Sequence, residues 1–314
     1  METRCLIHRW TLFSVAFVVL AATTTTVVTA TTGAQSNASS QAKPTSPTTP
    51  AFQSPVPPDH YDPDDTKTWP DVVTEDVSIS IRQRQFTIHF YRPRSSSAVL
   101  PAIYACGDGG WRGLAPRTAQ ELAHTGFVVA GIDSKVYLKD FSSIEKPLTT
   151  KQLARDYVDV AKALRAYANL DSGTPVYIYG WSLGAGFAIA VGADFETRSN
   201  WAGIISIGLP KQNQLVSGVG GNHSNSNVEA HYGFHSADVL AQVTPLPIVM
   251  IQSTSDTASP PKVGRELFAS ANDPKRYVLI KASNHRFTGA REEFYAALGD
   301  AVSWMRETAK NGKP

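Results

Sequence analysis

Residues 178–186 read IYGWSLGAG, with Ser182 standing between Gly180 and Gly184 and a third glycine at Gly186. The preceding PVYIYG is an apolar, β-branched and aromatic run of the kind that forms a buried strand. The following LGAGFAIAVGA has the composition of a buried helix. Gly-x-Ser-x-Gly therefore falls where a strand turns into a helix. Such a turn is so tight that its flanking side chains must be minimal, and it lifts the serine hydroxyl above the sheet edge. The new helix also aims its first N–H groups at the same point. The competing reading is a glycine-rich turn whose serine caps the helix.

The chain around this turn alternates strand and helix. EDVSISI and QFTIHFYRP have the alternation of an antiparallel pair, and AVLPAIYAC and FVVAGID are continuous apolar runs. LAPRTAQELAHTG has helical spacing and stops at Gly126, and TKQLARDYVDVAKALRAYANL is a long amphipathic helix. Beyond the serine, WAGIISIGLP, LPIVMIQS and RYVLIKA predict strands, while PKVGRELFASA and REEFYAALGDAVSWMRET predict helices. An antiparallel N-terminal strand pair followed by strand–helix alternation implies a mainly parallel twisted sheet with helices on both faces. That is the order of an α/β-hydrolase fold.

A serine hydroxyl is a weak nucleophile and needs a base, a group that orients the base, and donors for an oxyanion. In this fold the order is Ser, Asp, His. Asp256 lies in IVMIQSTSDTASP after one buried strand, and His285 in VLIKASNHRFTG after the last one. In a parallel sheet both loops share the rim that carries Ser182, so Ser182, Asp256 and His285 are the expected triad. Asp238 is the rival acid, but it precedes its strand. The backbone N–H of Leu183 is one expected oxyanion donor. The second comes from YACGDGGWRG, at Gly107 or Asp108. No Gly-Lys-Ser/Thr follows those glycines, which argues against a phosphate-cradling loop. Trp111 and Trp181 flank the expected site, either as an apolar wall for substrate or as core. Asp133, at a strand end in AGIDS, is placed either to meet a substrate amine or to cap a turn.

His223, His231 and His235 fall in a polar insertion, residues 211–238, expected to border the cleft. Their spacing, with no fixed carboxylates beside it, does not make a metal site, and neither metal nor cofactor is expected. The charge balance across 314 residues is only +2, and charged residues make up 18%, so no field points to nucleic acid. Residues 1–30 run basic, apolar and then small, the layout of a signal peptide, with an uncleaved anchor as the other reading. Residues 31–70 are a Thr/Ser/Pro-rich linker expected to be disordered, and 71–314 form the folded domain. Either reading implies export. Of the two cysteines, Cys5 lies in the leader and Cys106 is alone, so the mature chain is expected to hold no internal disulfide.

GDGGWRGL after a buried strand, LAHTGFVVAGIDSKVYL and then GWSLGAG resemble the VirJ/AcvB group of bacterial virulence-associated α/β-hydrolases. The resemblance implies a periplasmic protein with Ser182 as nucleophile and His285 as base. It also implies an ester substrate of the lysyl-phosphatidylglycerol kind, an aminoacyl ester of a phospholipid met at a membrane surface. Where the group usually has Tyr-Ser-Phe-Gly-Ala-Asp, this chain has Trp181, Leu183, Ala185 and Gly186, which bears on substrate more than on the triad. Two other functions remain open: a non-catalytic, secretion-associated binding factor on the same fold, and a serine peptidase. The binding factor has no physical need for all three triad residues.

Overall fold

The computed structural model describes residues 67–95, 99–217 and 232–311. The expectations for residues 1–66, and for His223 and His231, lie outside the described residues. Trp69, within the segment expected to be linker, stacks on His124 at 3.8 Å and donates from its indole nitrogen to Glu121 at 2.9 Å.

The strands β1 (Val72–Ile81) and β2 (Arg84–Pro93) pair antiparallel. They are followed by β3 (Leu100–Ala105), α1 (Leu114–His124), β4 (Phe127–Ile132) and α2 (Ser134–Phe141). Next come α3 (Thr150–Tyr167), β5 (Val176–Trp181), α4 (Leu183–Ala193) and β6 (Trp201–Ile207). A small pair, β7 (Gln212–Gln214) and β8 (Gly233–His235), precedes α5 (Ser236–Leu240). The chain finishes with β9 (Ile248–Ser253), α6 (Pro261–Ser270), β10 (Lys275–Ile280) and α7 (Arg291–Asn311). The main sheet has eight strands in the order β1-β2-β4-β3-β5-β6-β9-β10, parallel from β4 to β10.

The burial pattern explains the sequence pattern. β4, β5 and β9 are buried at every residue, which requires continuous apolar runs, whereas β1 alternates because it is an edge strand open on one face. Successive residues feed opposite cores. Ile103, Ile178 and Ile204 join α3 and α4 on one face, while Tyr104, Tyr179 and Ile205 join α1 and α7 on the other. α3 opens on a capping box between Thr149 and Gln152, and buries Leu153, Tyr157, Val160 and Leu164. α4 is buried from Gly184 to Gly192, so it needs no polar face.

Two stretches differ from expectation. Residues 134–141 form helix α2, an element absent from the predicted alternation. Asp133 caps it, accepting from the N–H groups of Lys135 and Val136 at 3.0 and 3.1 Å. In the insertion at 211–238, whose polar sequence predicts no strand, β7 and β8 pair antiparallel as a short ribbon.

Candidate active site

Ser182 has φ 54° and ψ −117°, left-handed backbone that a non-glycine residue adopts only under constraint. Such conformations cost of order 1–3 kcal/mol and persist where surrounding bonds over-determine them. Here the N–H of Ser182 donates to Ile207 O at 2.9 Å, and that of Gly184 to Cys106 O at 3.1 Å. The elbow is thereby tied to the ends of β6 and β3. A Cβ on Gly180 would lie 1.9 Å from Gly184 O, and one on Gly184 would lie 2.1 Å from Ala105 O. The two glycines around the serine are thus required by contact as well as by conformation. Ser182 occupies the N-cap position of α4, yet its side chain makes no capping hydrogen bond. The capping-serine reading has no support in this geometry.

Asp256 and His285 meet. His285 Nδ1 lies 2.6 Å from Asp256 Oδ2, with the Asp256 side chain fully buried and that of His285 17% exposed. Asp256 Oδ1 accepts from the N–H groups of Ala258 and Ser259 at 2.9 and 2.7 Å, so the loop after β9 folds around its own carboxylate. The rival Asp238 is exposed on the first turn of α5. The histidine loop is shaped by Asn284, whose side-chain oxygen accepts from Arg286 N at 2.9 Å and Thr288 N at 3.3 Å. Phe287, fully buried at φ 58°, anchors that loop by stacking on Phe294 at 4.3 Å.

Gly208 joins these parts. It follows Ile207, whose carbonyl holds Ser182 N, and a Cβ there would approach His285 Cε1 to 2.6 Å and Asp256 Oδ2 to 3.5 Å. Only a glycine, here at φ 57°, lets the imidazole and carboxylate settle beside the strand end that fixes the serine. His285 Nε2 is buried with no hydrogen-bond partner among the described residues. The carboxylate–imidazole contact is therefore made, and the serine–imidazole hydrogen bond is not.

Around the serine, Leu183 is the first residue of α4, where a backbone N–H has no partner within its helix. Gly107 abuts the elbow, since a Cβ on it would stand 3.3 Å from Ser182 Cβ. Asp108 is exposed. Cys106, next to Gly107, is buried and in no disulfide, and burial, followed by the nearby charge of Asp133, pushes its thiol up to about 12. It is held as a neutral thiol rather than a nucleophile.

The remaining expected residues have structural positions. Asp133, besides capping α2, accepts from Trp111 N at 3.0 Å, so both its oxygens serve the backbone. Ser134, its neighbour, is fully buried and donates to Cys106 O at 2.7 Å. Trp111 stacks on His89 at 5.0 Å and donates from its indole nitrogen to Tyr91 Oη at 3.1 Å, which seats it over β2. Among the described residues its ring partners are His89, Tyr91 and Tyr104, and Ser182, Asp256 and His285 are not among them. Trp181 is 7% exposed, donates from Nε1 to His285 O at 3.3 Å and leans on the imidazole with ring centres 5.3 Å apart. It steadies the histidine loop, so little of it remains to form a wall for substrate. The amide of Gln252 and the contact at Gly208 are parts of the site that sequence reasoning missed. A lone Gln in the apolar run IVMIQS was the available signal for the first.

An elbow serine, an acid–imidazole pair and a mainly parallel eight-stranded sheet define an α/β-hydrolase fold. The solved structures agree. The chain resembles dienelactone hydrolase from Anabaena variabilis (18% identity, TM-score 0.53, 75% of this chain and 98% of that one). It also resembles the esterase domain of a Rhodothermus marinus protein (17%, 0.52, 75% and 98%). An acylaminoacyl peptidase matches too (13%, 0.53), over 73% of this chain and 41% of the other. Residues 99–242 match the family model described as bacterial virulence protein (VirJ), so the VirJ resemblance holds over that span. The matched span contains Ser182 and ends before Asp256 and His285. No curated protein matches the chain.

Proposed function

We propose that this protein is an exported serine hydrolase that cleaves carboxylic esters through an acyl-enzyme on Ser182. The observation that carries the reading is the buried 2.6 Å contact of His285 with Asp256, in the loops after β10 and β9 of the sheet whose β5 leads into the strained Ser182 elbow. Asp256 orients the ring and fixes its tautomer, which leaves Nε2 as the basic nitrogen. With substrate bound, Nε2 takes the Ser182 proton while Oγ attacks the ester carbonyl. Leu183 N–H and the backbone at Gly107 or Asp108 receive the oxyanion. The imidazolium then protonates the departing alkoxide, and water, deprotonated by the same nitrogen, releases the acid and restores the serine.

The VirJ resemblance favours an aminoacyl ester of a phospholipid, presented at a membrane surface, and the apolar N-terminal stretch favours export. A fluorophosphonate probe tests the nucleophile: wild type is expected to label and Ser182→Ala is not. A folded wild type that stays unlabelled sinks the catalytic reading in favour of a binding factor. Short-chain esters, amides and aminoacylated phospholipids, each run against Ser182→Ala, separate esterase from peptidase and identify the acyl group. Fractionation of cells expressing the full chain tests export, which a purely cytoplasmic protein would contradict.

A further inference from the structure

We infer that Gln252 is the positioning residue of the Asp256–His285 pair, an inference that rests on the hydrolase reading. Gln252 sits in β9, whose preceding residues Ile248 to Ile251 are apolar and buried, and is itself 2% exposed. A buried amide must find partners. Its nitrogen donates to Asp256 Oδ2 at 2.8 Å and to Ser259 O at 2.6 Å. One NH₂ group therefore spends a proton on the carboxylate and the other on the far end of the turn that bears it. With Ala258 N and Ser259 N on Oδ1, three donors besides the imidazole grip the carboxylate. Oδ2 is left facing His285 Nδ1. Across from the amide, a Cβ on Gly264 would come within 3.1 Å of the Gln252 side-chain oxygen, so α6 leaves room for it.

The consequence is chemical as well as geometric. A carboxylate free to swing lets the imidazole present the wrong nitrogen to the serine. Each N–H given to Asp256 also disperses its negative charge, and that charge is what attracts the ring proton. Removing the amide therefore tightens the hold on the imidazolium while loosening its orientation.

Gln252→Met keeps the length of the side chain and loses both protons. On a short-chain p-nitrophenyl ester, it is expected to lower kcat by about 10- to 100-fold, the loss of one hydrogen bond to a charged group, with KM little changed. The pH of half-maximal kcat/KM should move upward, and the downfield Nδ1 proton resonance of His285 should shift or broaden. Gln252→Glu donates when protonated and repels Asp256 when ionised, so its activity relative to wild type should fall as pH rises. This second variant gives the answer if Gln252→Met does not fold. A folded Gln252→Met with the wild-type rate, pH profile and resonance overturns the proposal. So does a slower variant whose pH profile and resonance are unmoved, since that marks general structural damage. Fluorophosphonate labelling of wild type separates the two levels. An unlabelled wild type overturns the hydrolase reading and with it any part for Gln252 in catalysis, whereas a labelled wild type leaves the variants to judge Gln252 alone.

Discussion

The elbow around Ser182 and the loops around Asp256 and His285 arrive at one rim, but backbone holds the first and side chains hold the second. At the elbow, main-chain bonds to Ile207 and Cys106 and two glycines with no space for a methyl group leave little to relax. Around Asp256 and His285, Gln252 and Asn284 do the equivalent work through amide groups. A backbone device demands particular residues at fixed spacing. A side-chain device needs only partners that converge, and these come from separate strands.

The largest effects should come from breaking either half outright. Ser182→Ala or His285→Ala is expected to lower kcat on the order of 10³-fold or more. The double variant should be no worse than the poorer single one, because the groups act as a unit. Additive losses in the esterase assay would break the comparison. Asp256→Asn leaves the loop bonded yet favours the wrong imidazole tautomer, with an expected loss of roughly 10²- to 10⁴-fold. A near-wild-type rate would mean that the acid lies elsewhere.

Gly184→Ala tests the rigidity of the elbow. Its methyl group would meet Ala105 O at 2.1 Å, so stability should fall by about 1–3 kcal/mol in urea unfolding. Gly289→Ala, in the histidine loop at φ 80° with open space around its Cβ position, should cost less, about 1–2 kcal/mol for the strained backbone alone. The reverse ranking would make the loops the stiffer part.

The smallest effect concerns Cys106. Its thiol titrates higher folded than unfolded, so the protonated form favours the folded state. This contribution is complete below the unfolded value of about 8.5 and is lost as pH rises through the folded value of about 12. Stability should therefore decline from pH 8 to 10.5 more steeply in wild type than in Cys106→Ala, by a slope approaching one proton. Equal slopes would contradict the burial. A thiol reagent should leave the native protein unmodified at pH 8.

The fold was legible because its strands are buried on both faces, and burial on that scale writes continuous apolar runs such as FVVAGI and VYIYGW. The elbow was legible because its glycines have no substitutes. Asp133 and the tryptophans were harder to read: a carboxylate at a strand end suits a ligand or a helix cap equally, and its partners Lys135, Val136 and Trp111 decide the matter. Helix α2 escaped because SKVYLKDF is short and only Ser134, Tyr137, Leu138 and Phe141 are buried, too brief a period to stand out. Gly208 gave no signal, since SIGLP reads as the plain end of a strand.

The ribbon of β7 and β8 closes on itself: Leu215 N meets Tyr232 O at 2.8 Å, and Asn213 Nδ2 reaches Ser236 Oγ at 2.7 Å. β7 and β8 bring the described ends of the insertion together beside α4, where Asn213 packs on Gly186. Doubling the length of such a detour adds only about 0.6 kcal/mol of closure entropy. Length added between β7 and β8 therefore costs the fold little.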